Sequence, residues 1–134
     1  MKEQIINQEL FEALLSKASE SPRLRQNYDL RTSEADTSQR ILNALLPGTE
    51  VPIHRHEATA ETVVCIRGRL EEIIYEEVAP EETDPEKRFK EVSRHLLCPA
   101  EAQYGIQIPQ GVWHTIRVLE PSLTFDAKDG AYKP

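Results

Sequence analysis

Residues 48–68 read GTEVPIHRHEATAETVVCIRG, and they set three metal-ligand side chains, His54, His56 and Glu61, between two glycine-marked turns. Side chains alternate faces along an extended strand, so His54 and His56 project the same way while Arg55 points to the other face. Glu61 opens the apolar run TVVCI after the short link EATA, where its carboxylate can swing back toward both imidazoles. Two neutral imidazole nitrogens and one carboxylate oxygen suit a divalent first-row metal ion. A fourth ligand stands far down the chain in PQGVWH, residues 109–114. Pro109 and Gly111 read there as a turn, and His114 as the start of the strand WHTIRVL. Three histidines and one glutamate leave one or two positions open on a five- or six-coordinate ion, as a reactive site needs.

A His-x-His pair alone carries little weight, since paired histidines on a strand are often surface residues without a metal. The anchored spacing carries more. Gly48, five residues, His54-x-His56, four residues, Glu61, six residues, Gly68 resembles the first motif of the cupin superfamily at every anchored position. Pro109-x-Gly111-x-x-His114 resembles the second motif. Two positions depart from the pattern: Val118 stands where an asparagine usually follows the histidine by four residues, and Gly105 is closer to Pro109 than usual. Beyond the motifs, SPRLR, NYDLR, QRILNALLPGTEVPIHRH, IRGRL, IPQGVWHTI and the terminal DGAYKP are similar to the WbuC-type cupin fold metalloproteins. These are associated with bacterial polysaccharide and O-antigen gene clusters. The resemblance covers nearly all of the chain except an acidic loop. It implies a metal-binding bacterial cupin that pairs as a homodimer, with a role in surface-carbohydrate synthesis.

Length and composition agree with one small domain. At 134 residues a single core is expected, large enough to dispense with disulfide staples. Two cysteines, Cys65 and Cys98, no secretory segment and no apolar run of membrane-spanning length make a reducing cytoplasm the expected compartment. Both cysteines read as buried thiols, with a disulfide between them as the alternative, and Cys65 stands on the inward face shared by Glu61 and Val63. The net charge of −7 argues against nucleic acid, because binding phosphate backbones calls for clustered positive charge. Much of the acidity falls in residues 76–91, EEVAPEETDPEKRFKE, which read as a solvated loop.

From the start of the chain, residues 8–18 place Leu10, Phe11, Leu14, Leu15 and Ala18 at helical spacing. Asn7 caps that helix and Ser21-Pro22 ends it. Its narrow apolar stripe suits packing over one face of a barrel. Residues 21–40 are polar and hold arginines at 23, 25, 31 and 40. Arg23, Arg25 and Arg31 are candidates for binding an anionic substrate group, because a guanidinium offers paired donors to carboxylate or phosphate. Local ion pairs with Asp29, Glu34 and Asp36 are the competing reading. Arg40 begins the strand RILNALL, and Gly68 marks a tight hairpin between two apolar runs. His95, on a weakly alternating strand, reads as a structural or exposed residue. Trp113 faces away from His114 and reads as packing under the N-terminal helix or at a subunit contact.

Many short strands, frequent turn signals and no helix after the first predict an all-β fold, an antiparallel jelly roll with an N-terminal helix. The resemblance makes this the cupin double-stranded β-helix. Residues 1–39 are expected to pack a helix and an extended segment on a barrel formed by residues 40–134. The expected ligand is a small polar molecule, such as a sugar or sugar nucleotide, with neither nucleic acid nor membrane as partner. The metal set His54, His56, Glu61 and His114 accepts iron, manganese, nickel, cobalt, copper or zinc alike. An isomerase, epimerase or oxygenase is the first expectation, with Tyr104 or Glu57 moving protons. A non-catalytic metal- and ligand-binding module is the second, and a closed structural metal site the third. Val118, Val63 and Ile116, all read as inward, predict a cavity wall of low polarity.

Overall fold

The computed structural model describes residues 2–131. Helix α1 (Gln8–Glu20) begins where the Asn7 side chain accepts a hydrogen bond from the Leu10 amide, satisfying one of the otherwise unpaired first-turn donors. It ends at Ser21, whose extended backbone leaves the helix. Six antiparallel strands follow: β1 (Arg25–Asp29), β2 (Ser38–Leu45), β3 (Glu61–Glu77), β4 (Phe89–Leu97), β5 (Gly105–Ile108) and β6 (Trp113–Asp129). Their order across the sheet is β1-β2-β6-β3-β4, with β5 pairing β3. This is the mostly antiparallel cupin barrel with one leading helix that the sequence predicts.

Three local expectations are corrected. The polar segment after α1 is not merely extended: β1 pairs with β2 from Arg25↔Leu45 to Asp29↔Ile41. Two short helical turns, α2 (Pro85–Arg88) and a 3-10 turn (Pro99–Glu101), follow the first helix. Gly68 forms no hairpin. β3 runs through it as one strand, and β6 likewise runs through Glu120-Pro121-Ser122, with register shifts on both sides of Arg67 and Arg69. At Gly68 φ is +106°, and a Cβ there would collide with the Pro121 carbonyl and the Ser122 hydroxyl. The glycine therefore permits a bulge in which two long strands bend together. Each long strand thus serves both halves of the barrel. The first half of β3 pairs β5 and the far end of β6, and its second half pairs β4 and the start of β6.

Alternation on these strands makes two apolar layers. Leu42 and Ala44 of β2 and Leu123 of β6 face Phe11, Leu14 and Ala18 of α1. The opposite face puts Leu45, Val63, Cys65, Leu70, Leu97, Ile108 and Val118 into the barrel floor. Both cysteines are buried and free. The floor is closed by this cluster; above it the inward residues turn polar. The tail residues 132–134, part of the DGAYKP resemblance, lie outside the described residues.

Candidate metal centre

His54 lies in the connection between β2 and β3 and His114 near the start of β6, and the two exchange backbone hydrogen bonds of 3.0 and 2.8 Å. Such a directly opposed pair holds the two side chains side by side. The neighbouring turns are stitched together as well: the Gly111 amide donates to the His56 carbonyl at 2.8 Å, and the Gln110 side-chain amide to the Glu57 carbonyl at 2.6 Å. The two motifs, more than fifty residues apart in the chain, thus meet through backbone pairing that does not depend on a bound ion.

Each flanking carbonyl orients a ring. Nδ1 of His54 lies 2.9 Å from the Pro52 carbonyl and Nδ1 of His114 lies 3.0 Å from the Val112 carbonyl. A carbonyl only accepts, so Nδ1 carries the proton in both rings and Nε2 presents a lone pair. The ligand atoms of His54, His56 and His114 lie within 4.8 Å of one another, a group that could hold a metal ion. Glu61, the first residue of β3, stands against it: Oε2 is 3.6 Å from His56 Nε2 and Oε1 is 3.5 Å from His114 Nε2. At these lengths neither contact is a hydrogen bond. Consistent with that, the buried Nε2 atoms of His56 and His114 have no hydrogen-bond partner. Buried polar atoms are normally satisfied. An ion shared by the rings and the carboxylate is the group that would satisfy both nitrogens, so the residues fit a metal.

The protonation states agree. Burial is the main influence on His56, pushing it down to about 4 against the pull of Glu61. Burial also lowers His54, opposed by its bond to Pro52. For Glu61 burial works to raise the carboxyl, but His114, Lys128 and His56 outweigh it and hold it below its ordinary value. The Lys128 ammonium sits 3.7 Å from Glu61 Oε2. Near neutral pH both rings are uncharged and Glu61 is ionised, the forms in which these groups ligate metals.

The four residues line a cavity of about 310 Å³. Its wall is more polar than expected. Val63 and Ile116 do line it, but Val118 lies below in the apolar floor. Asn27, Asn43, Thr124, Asp126, Lys128 and Glu72 line it as well, beside the apolar Leu45, Val51 and Leu70. Thr124 Oγ1 donates to Asp126 Oδ1 at 2.9 Å. Burial, followed by the charge of Glu61, raises Asp126 to about 7. Glu72 is 2% exposed, and burial pushes its carboxyl well up. The sequence did hold a signal for Thr124, Asp126 and Lys128: TFDAK after Leu123 alternates polar with apolar or small side chains, as a strand with one polar inward face must.

The other candidates divide. Arg23 and Arg25 line the cavity, and Arg25 reaches the Glu50 carbonyl at 3.4 Å. Arg31 instead forks onto Asp29, with Nη2 2.7 Å from Oδ2, and is not among the lining residues. Tyr104, just before β5, is 61% exposed and is not among the cavity's lining residues. Glu57 is exposed too and pairs with Arg55 at 3.0 Å. Neither is placed to move protons at the rings. Trp113 does not pack under α1: its ring lies 4.9 Å from that of Phe89, with Arg55 and Arg88 4.6 and 5.2 Å from its centre. His95 is exposed on β4.

Fold and site together define a cupin-fold barrel with a three-histidine group in its cavity. The chain belongs to the family described as Domain of unknown function (DUF6016), whose model matches residues 6–83. No curated protein matches it by sequence. Among solved structures, KdgF from Halomonas sp. is similar with TM-score 0.59 and 17% identity, over 84% of each chain. The cupin domain of Schizosaccharomyces pombe Cnp3 has TM-score 0.58 and 10% identity, over 79% of this chain and 61% of that one. An oxalate oxidase in complex with the substrate analogue glycolate has TM-score 0.61 and 17% identity, over 96% of this chain and 63% of the other. Among the described residues, no helix is long and apolar enough to cross a membrane.

Proposed function

We propose that this chain is a metal-dependent cupin that binds and transforms a small polar, anionic molecule. The observation that carries this reading is the pair of buried, unpartnered Nε2 atoms of His56 and His114 facing the ionised Glu61. His54, His56, Glu61 and His114 hold the ion. When bound, the ion supplies Lewis acidity toward an oxygen of the ligand. Arg23 and Arg25 receive the ligand's carboxylate or phosphate, as guanidinium groups lining the same cavity. The lining arginines together with a polar wall favour a ligand-binding site over a closed structural one. The resemblance to WbuC-type proteins makes a sugar or sugar nucleotide of bacterial surface-polysaccharide synthesis the ligand class, and a cytoplasmic homodimer the working form.

The test is elemental analysis of protein purified without added metal or chelator, followed by titration with azide under a metal-sensitive spectroscopy. Near-stoichiometric iron, manganese, nickel or cobalt that takes up azide supports an open, reactive centre. Stoichiometric zinc, four-coordinate by X-ray absorption and unchanged by azide, would replace the reading with a structural metal. His56→Ala is expected to remove most of the metal while leaving the barrel folded. Full occupancy in that variant would overturn the ligand set.

A further inference from the structure

Glu72 stands apart from the other polar residues of the cavity. Lys128 is engaged with Glu61, and Asp126 is satisfied by Thr124 and by the Asn43 side chain. Gln39 also has an unpartnered buried oxygen, but it does not line the cavity, and its amide is tied to the Gly130 carbonyl. Glu72 is 2% exposed and lines the cavity, and its Oε2 has no hydrogen-bond partner. It lies in the middle of β3, opposite Ile116 of β6, with Leu70 inward two residues before it. No cation lies within ion-pairing distance of its carboxyl among the described residues.

We propose that Glu72 is a proton-exchanging residue of this cavity, its Oε2 carrying a proton that is shared with an oxygen of the metal-bound ligand. This rests on the metal-centre reading above. A carboxyl group buried without a counter-ion is more stable neutral than charged, and a neutral carboxyl has an O–H to donate. Burial indeed holds its proton on well above the ordinary glutamate range, helped by the charges of Glu61 and Asp126. In the step proposed, the O–H bond of Glu72 breaks as an O–H bond forms on a carbonyl or hydroxyl oxygen of the ligand. The electron pair stays on Oε2 and takes a proton back in the return step, so no co-reactant is consumed. The ligand class is therefore a small molecule whose acceptor oxygen lies beside a metal-chelating group, as in a hydroxy or keto acid. In the absence of ligand, a water fills the same role, and the cavity volume has room for several.

The test uses cobalt(II)-loaded full-length protein at neutral pH, with glycolate as the probe. In an Asp126→Asn background, which removes the other protonated carboxyl of the cavity, infrared spectroscopy is expected to show a protonated-carboxyl C=O band that is lost on adding Glu72→Gln and that shifts when glycolate is added with Glu72 in place. Glu72→Asp keeps the acid but withdraws it by one methylene, so it is expected to keep a band and lose the shift. Absence of the band in this background with Glu72 in place, or its full survival on adding Glu72→Gln, overturns the proposal. Failure of cobalt to give a visible spectrum overturns the metal centre, and this role with it. A cobalt spectrum that responds to glycolate while the infrared band stays still overturns the role of Glu72 alone.

Discussion

The ionisable residues of the cavity pull stability in opposite directions with pH. Asp126 titrates near 7 in the folded state, whereas an aspartate in an unfolded chain titrates near ~3.9. Between those values the folded protein holds the extra proton. The contribution of Asp126 is therefore full below about pH 4 and is lost as pH rises through about 7. His56 runs the other way: lowered to about 4, it stays neutral while the unfolded chain takes up a proton below ~6.5, so its effect erodes as pH falls through that window. Asp126→Asn removes one side of this balance. Relative to the unmutated, metal-free protein, the variant is expected to gain unfolding free energy on going from about pH 5 to about pH 8, measured by denaturant titration. An equal difference at both values would show that Asp126 does not hold its proton. The four candidate ligands, His54, His56, Glu61 and His114, were legible in the sequence because each stands at a fixed distance from a glycine or proline that marks a turn, and the turns set where the side chains converge. Glu72 was not. It sits in a Glu-Glu pair, and only the partner strand shows which of the two turns inward.

Among elements, the two long strands decide the shape. Gly68 between apolar runs reads as a hairpin, and what makes it a bulge instead lies in β6, which bends at Pro121 opposite it. That information is fifty residues away, beyond the reach of local pattern. The helix was legible because its cap, stripe and stop are all local: Asn7, then Phe11, Leu14 and Ala18, then Ser21. Gly68→Ala forces a Cβ into the Pro121 carbonyl at a positive φ, and is expected to destabilise the protein by about 2 kcal/mol or more. Asn7→Ala removes only the cap and is expected to lose about 1 kcal/mol. Thermal or denaturant unfolding of the two variants checks the order. If Gly68→Ala were the milder of the two, the bulge would not be as tightly packed as described.

For the molecule as a whole, the candidate ion would join parts of the chain that the sheet holds unequally. Glu61 and His114 sit in long paired strands, while His54 and His56 lie in the connection between β2 and β3, tied to β6 by the His54–His114 bridge and the Gly111–His56 bond. A ligand bound only by the folded state stabilises it by RT ln(1 + [L]/Kd), about 2.7 kcal/mol at a hundredfold excess over Kd. Removing the ion with a chelator is therefore expected to lower Tm by several degrees in a domain of this size. Hydrogen exchange should rise most at the amides of His54 and Gly111, whose bonds close the connection, and least in the centre of β3. His114→Ala provides the control. It opens a void beside Ile74 and so starts from a lower Tm, but with the centre broken its Tm should no longer respond to chelator. A variant that lost as many degrees on chelation as the unmutated protein would place the ion elsewhere. A barrel whose Tm ignored chelator before any mutation would mean that folding stability is complete without the metal, leaving the buried Nε2 atoms to be satisfied by water.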